Sequence, residues 1–110
     1  MRSGLWSRSA GKRRRGGRYA AAVVDVLAKE FPNLADAGTA EVVRDEVARH
    51  AVEPGRAFEC TLDDLTVANW RLRPHRVAPR VRVACHRLNP SESDIDREQR
   101  INEALALLPF

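Results

Sequence analysis

The sequence predicts an α+β domain with elements in the order α-α-β-β-β-α, preceded by a basic, disordered N-terminal arm. Three observations carry this. Two apolar stripes at helical spacing lie close together between residues 19 and 51, a run of period two occupies residues 80–86, and a capped helical pattern closes the chain. At 110 residues the chain has room for one domain, here assigned to residues 19–110.

Residues 1–18 form the expected arm. They hold four glycines, three serines and no acid, and almost nothing apolar beyond Leu5 and Trp6. Such a segment cannot offset its ordering entropy by burial. Its Lys12-Arg13-Arg14-Arg15 run suits phosphate neutralisation, with Trp6 as the aromatic free to stack on a base. An acid-free, arginine-rich start also fits an organellar or nuclear targeting segment, or a solvated tail that binds nothing.

Tyr19 to Phe31 reads as the first helix, with Ala20, Val23, Val24, Leu27 and Phe31 on one face and Pro32 as its stop. After a short connector, Thr39 is the expected N-cap of a second helix reaching Ala51, which buries Val43, Val47 and Ala51. Glu53-Pro-Gly-Arg56 then turns the chain. These two helices make an αα-hairpin.

Residues 57–72 read as two strands. Phe58, Cys60 and Leu62 alternate inward on the first, Asp63-Asp64 turns the chain, and Ala68, Trp70 and Leu72 point inward on the second, which starts at Leu65. The alternative is a mostly helical fold with a helix-turn-helix at 39–72, whose recognition helix would span 62–72. The next strand follows Pro79. Val81, Val83 and Cys85 face the core, while Arg80, Arg82, Ala84 and His86 face solvent. Two residues along a strand are ~6.6 Å apart, so Arg80 and Arg82 match a row of phosphates or carboxylates. Ser91 or Ser93 caps the final helix, in which Ile101, Ala104, Leu105 and Leu108 are buried. Its polar first half is expected to dock loosely.

Charge is segregated. Residues 1–20 carry seven basic groups and no acid, residues 21–70 four basic and ten acidic groups, and residues 71–87 six arginines and no acid. Residues 88–110 return to two basic and five acidic groups. Two basic blocks set in an acidic body mark a polyanion-binding surface.

The expected function is therefore a non-catalytic module binding DNA or RNA. Arg13, Arg14, Arg15 and Arg18 form the arm, and Arg71, Arg73, Arg76, Arg80, Arg82 and His86 a structured basic face. The main rival is an assembly subunit, in a homo-oligomer or larger complex, whose basic tail docks on a neighbour's acidic surface. A third reading is a metal-dependent nuclease built on Glu53, Glu59, Asp63 and Asp64. No metal or other cofactor is expected. Cys60, His75, Cys85 and His86, with His50, lack zinc-ligand spacing, and neighbours on a strand diverge. Two cysteines are too few for a disulfide framework, which points to a reducing compartment such as the cytoplasm, and no run is long enough to span a membrane.

Overall fold

The computed structural model describes residues 17–64, 66–77 and 79–110. Trp6, Arg13, Arg14 and Arg15 lie outside the described residues. Gly17 and Arg18, assigned to the arm on sequence, belong instead to the first helix, α1, which is helical across 17–28. It buries Tyr19, Ala20, Val23 and Leu27. It ends short of Phe31 because a residue preceding proline is driven out of the helical region. Phe31 accordingly sits at φ −123°, ψ 98°, and Pro32 opens a short 3₁₀ turn, Pro32–Ala35.

Helix α2, Ala37–Val52, starts two residues before the expected Thr39. Its N-cap is Asp36, whose carboxylate accepts from the Thr39 N–H at 3.0 Å and the Thr39 hydroxyl at 2.9 Å. The buried face is Val43, Val47 and His50 rather than Ala51, which is half-buried.

The sheet is antiparallel with strand order β1-β2-β3: β1 Cys60–Thr61, β2 Trp70–Pro74 and β3 Val81–Cys85. The strand pair is thus the outcome, and the helix-turn-helix at 39–72 is excluded by extended backbone where its recognition helix would lie. The expected alternation holds for Phe58, Cys60, Leu62, Trp70, Leu72, Val81 and Val83, which are all buried, whereas Ala68 and Cys85, also expected inward, are only half-buried, Ala68 because it lies in the turn ahead of β2. The second strand, however, begins at Trp70 and not at Leu65. The reason is local. The Asp63 carboxylate accepts from the Asn69 N–H at 2.9 Å and the Trp70 N–H at 3.1 Å, and Asp64 accepts from the Thr66 N–H at 2.8 Å. Those bonds hold the intervening residues in a turn, in which Ala68 takes the left-handed φ of 47°.

Helix α3, Glu92–Ala106, opens on a capping box: Ser91 Oγ accepts from the Asp94 N–H while the Asp94 carboxylate accepts from the Ser91 N–H, both at 3.1 Å. Its first half docks firmly, contrary to expectation, and does so through polar groups. Arg97 lies over the Phe31 and Trp70 rings at 4.5 and 5.0 Å and donates to the Glu30 carbonyl. Glu98 accepts from the Cys85 N–H at 2.7 Å, and Asn102 bonds both backbone groups of Val83. With Tyr19 Oη accepting from the Val81 N–H at 2.9 Å, every alternate amide on the outer edge of β3 is satisfied. A strand edge closed in this way cannot template pairing with another chain.

The core lies between α1, α2, the apolar face of α3 with Ile101 and Leu105, and the inner face of the sheet. Trp70 is its largest member and meets Phe31 edge-on at 5.7 Å. No helix among the described residues is long and apolar enough to cross a membrane.

Candidate nucleic-acid interface

The arginines of the 71–87 block do not form one face. Arg80 precedes β3 and turns away from the sheet. Its guanidinium donates to the Leu105 carbonyl at 3.3 Å, the Leu108 carbonyl at 3.1 Å and the Phe110 carbonyl, and lies over the Tyr19 ring at 5.5 Å. It closes the carbonyl-rich end of α3, where a cation is favoured by the helix dipole. The expected Arg80–Arg82 row is therefore not formed. Arg87 is drawn into an ion pair with Asp94, which holds that carboxyl below the ordinary range.

On the outer face of β2, Glu59 bridges Arg71 at 3.2 Å and Arg73 at 3.5 Å. Pairs this exposed contribute little stability, but they halve the free charge of the strand. Arg71 stands opposite Ala84 and Arg73 opposite Arg82. His86 follows β3 at the far end of the strand, four residues or ~13 Å from Arg82, with its N–H on the Asn69 carbonyl at 2.6 Å. It does not join the other cations.

What remains is a cationic shoulder at the β2–β3 hairpin. The loop is held by the His75 N–H on the Arg80 carbonyl at 2.8 Å, the Arg80 N–H on the Val77 carbonyl at 3.0 Å, and the Val77 N–H on His75 Nδ1 at 3.2 Å. Pro74, His75, Arg76 and Arg82 line a concavity of about 570 Å³ with no acid in its wall among the described residues. Arg76 is exposed, and neither its side chain nor that of Arg82 has a hydrogen-bond or ion-pair partner among the described residues. Beside this concavity runs a smaller slot of about 310 Å³ between the hairpin and the C-terminal half of α3.

Arg18 is exposed on the first described turn of α1. Its neighbour Tyr19 bonds Val81 at the base of the hairpin and carries Arg80 over its ring. The chain preceding residue 17, with six of the nineteen basic residues, therefore joins the body at the hairpin end. Residues 17–110 hold thirteen basic residues and all fifteen acids, so the body itself is slightly acidic.

The other chemistries expected from sequence are dispersed. Asp63 and Asp64 are occupied by backbone amides of their own turn, Glu59 by Arg71 and Arg73, and no three His, Cys, Asp or Glu side chains converge on a metal-sized site among the described residues. Burial pushes the Cys60 thiol up to about 11, helped by Glu46 and Glu59. His50 is stacked on Phe58 with ring centroids 5.2 Å apart, and burial lowers its pKa, so it is a neutral core residue.

A second concavity, about 1140 Å³ and wide open, lies between α2 and the β1 edge. Val42, Val43 and Phe58 give it an apolar floor, and Glu46, Glu59, Asp63 and Asp64 an acidic rim.

Sequence reasoning missed His75 and Asn102. His75 read as a poor metal ligand, although a histidine at the head of a proline-containing loop is placed to accept a loop amide. Asn102 lies in a polar helix register, and only the strand beside it reveals its role.

Comparison with known proteins finds no matching family model, no curated relative and no matching solved structure.

Proposed function

We propose that the protein is a non-catalytic module that binds the phosphate backbone of nucleic acid. The observation that supports this is the coincidence of the two basic regions: the N-terminal block joins the body at the same end as Arg76 and Arg82. One polyanion can then bridge both, and no acid lines the hairpin concavity among the described residues. Fixed cations on the hairpin give the position, and the N-terminal cations add sequence-independent attraction.

Nine cations qualify once Arg71, Arg73, Arg80 and Arg87 are set aside for their contacts within the fold: six in residues 1–16, with Arg18, Arg76 and Arg82. If half of them contact phosphates, log Kd against log salt has a slope of magnitude about 4 to 5. Fluorescence anisotropy across a salt series measures it. A magnitude below about 2, or no binding at low salt, overturns the reading.

The assembly reading has its own observation, the acid-rimmed groove beside β1. In that case residues 12–15 of one copy dock on Glu46 and Glu59 of the next. Light scattering at low salt, on protein freed of nucleic acid, separates the two readings, because high salt would screen a charge-held oligomer apart. A defined oligomer that dissociates when residues 1–16 are deleted supports assembly, and a mass unchanged by the deletion supports the phosphate reading.

A further inference from the structure

We infer that the slot beside the hairpin receives one unstacked base of a single strand, with the adjoining phosphate on Arg82 and His75. The inference rests on the phosphate-binding reading and adds a preference for single-stranded ligand. The slot and the cationic concavity share His75 and Arg82, so a ligand held in one meets the other. Val77, Val81, Leu105 and Ala106 give the slot apolar walls, Arg80 adds a guanidinium already held by the carbonyls of Leu105 and Leu108, and no acid lines it among the described residues. At about 310 Å³ it has the size of a small-ligand site. An apolar slot with a cationic mouth suits a flat, largely uncharged ring attached to an anion.

Three side chains give the site its chemistry. His75 Nδ1 accepts the Val77 N–H, so the ring proton of the neutral form sits on Nε2, and Nε2 is a donor in either charge state. Arg82 offers a planar fork of donors to phosphate and a flat face for a base to stack on. Asn102 is held in one orientation, with Oδ1 accepting from the Val83 N–H at 2.8 Å and Nδ2 donating to the Val83 carbonyl at 3.1 Å. A flipped amide would set donor against donor. Each end of that amide retains one unused bond, and because the pair on Val83 uses the adjoining edge of the amide, the two remaining positions diverge, so a base can meet one of them but not both. In a duplex the bases are stacked and paired, so a duplex meets the shoulder with its phosphates alone.

The test compares a short oligothymidylate, a fully paired DNA hairpin with the same number of phosphates, and an abasic strand of that length. Wild-type protein is expected to bind the oligothymidylate about fivefold more tightly than the other two, the lower end of what one base stacked on an aromatic ring contributes, because the slot's walls are aliphatic. Ala106→Trp fills the slot from an exposed helix position and should remove that advantage, leaving hairpin affinity and salt slope unchanged. Arg82→Gln should weaken all three ligands together. A thermal melt of each variant confirms that it folds, and the abasic strand tests the same point on unmodified protein. Equal affinity for oligothymidylate and abasic strand overturns the inference while leaving the phosphate reading in place. So does an Ala106→Trp protein that keeps the advantage. Failure of wild-type protein to bind any of the three overturns both.

Discussion

The seam between α3 and β3 and the shoulder at the β2–β3 hairpin are adjacent and built from similar polar residues, yet they are used in opposite ways. Along the seam, Glu98, Asn102 and Tyr19 close the strand edge, Arg97 covers Phe31 and Trp70, and Arg80 closes the end of the helix. At the shoulder, Arg76, Arg82 and the Nε2 edge of His75 meet solvent and hold no other part of the described structure. Outward-facing charge on a strand is thus not one property. Whether a cation belongs to the scaffold or to a partner depends on which acceptors the rest of the chain brings beside it.

The seam can be broken in graded steps. Val83→Asp has the largest effect, because Val83 is fully buried and its backbone is part of the seam. An unpaired carboxylate there should unfold the domain, a loss of at least ~4 kcal/mol visible as absent cooperative melting by circular dichroism. Asn102→Leu is next. It leaves the Val83 N–H and carbonyl without partners, and a cost of ~2–3 kcal/mol is expected in denaturant titration.

Arg97→Ala follows at ~2 kcal/mol, since the guanidinium's packing on two rings and its bond to the Glu30 carbonyl are lost together. In a domain of this size that lowers the melting temperature by about 10 °C. A fall of less than about 2 °C would mean that the first half of α3 is as loosely docked as its composition implies.

These cases also show what the sequence could and could not reveal. Element order and inward positions were legible because a period of two and a period near 3.6 are local signals: Val81 and Val83, Leu27 and Ile101 announce themselves. Arg80 was misread because its acceptors, the carbonyls of Leu105, Leu108 and Phe110, lie 25 to 30 residues away and no local pattern points to them. Glu59 pairs with Arg71 and Arg73 only through the register of β1 on β2. Arg97 was invisible for a different reason. Polar periodicity reads as solvation, whereas a guanidinium can dock flat on aromatic rings. His50 read on sequence only as a metal ligand, although its ring completes the Val43–Val47 face as an aromatic packing element. The cationic candidates were therefore legible as a set, while which of them the fold itself holds was not.

The acid limit of the fold tests the seam by pH. Bonding to Arg100 holds Glu30 below its ordinary pKa, and the ion pair with Arg87 does the same for Asp94. A carboxyl lowered in the folded state adds stability above its unfolded pKa, and that stability is lost as pH falls through the folded value. The melting temperature should therefore be flat near neutrality and decline below about pH 4. Arg87→Gln should lessen that decline, and an unchanged acid limb would remove Asp94 from the account.

The smallest stability effect is expected at Arg82, and it sharpens the comparison most, because Arg80 lies two residues away and differs in sequence context by little more than Pro79. Arg82→Gln removes a guanidinium with no partner among the described residues, so stability should stay within about 0.5 kcal/mol of wild type. Affinity for nucleic acid should fall, and the salt slope should lose about one unit with the lost phosphate contact. Arg80→Gln should do the reverse. Its three carbonyl acceptors at the end of α3 lose their partner, which costs ~1–2 kcal/mol, while phosphate affinity changes little. Melting and anisotropy on the same two proteins decide the matter. If both variants lose affinity equally without loss of stability, Arg80 leaves the helix end to meet phosphate and the two arginines form one binding row. If both lose stability equally, Arg82 belongs to the scaffold, and the shoulder is left with Arg76 as its unpaired cation among the described residues.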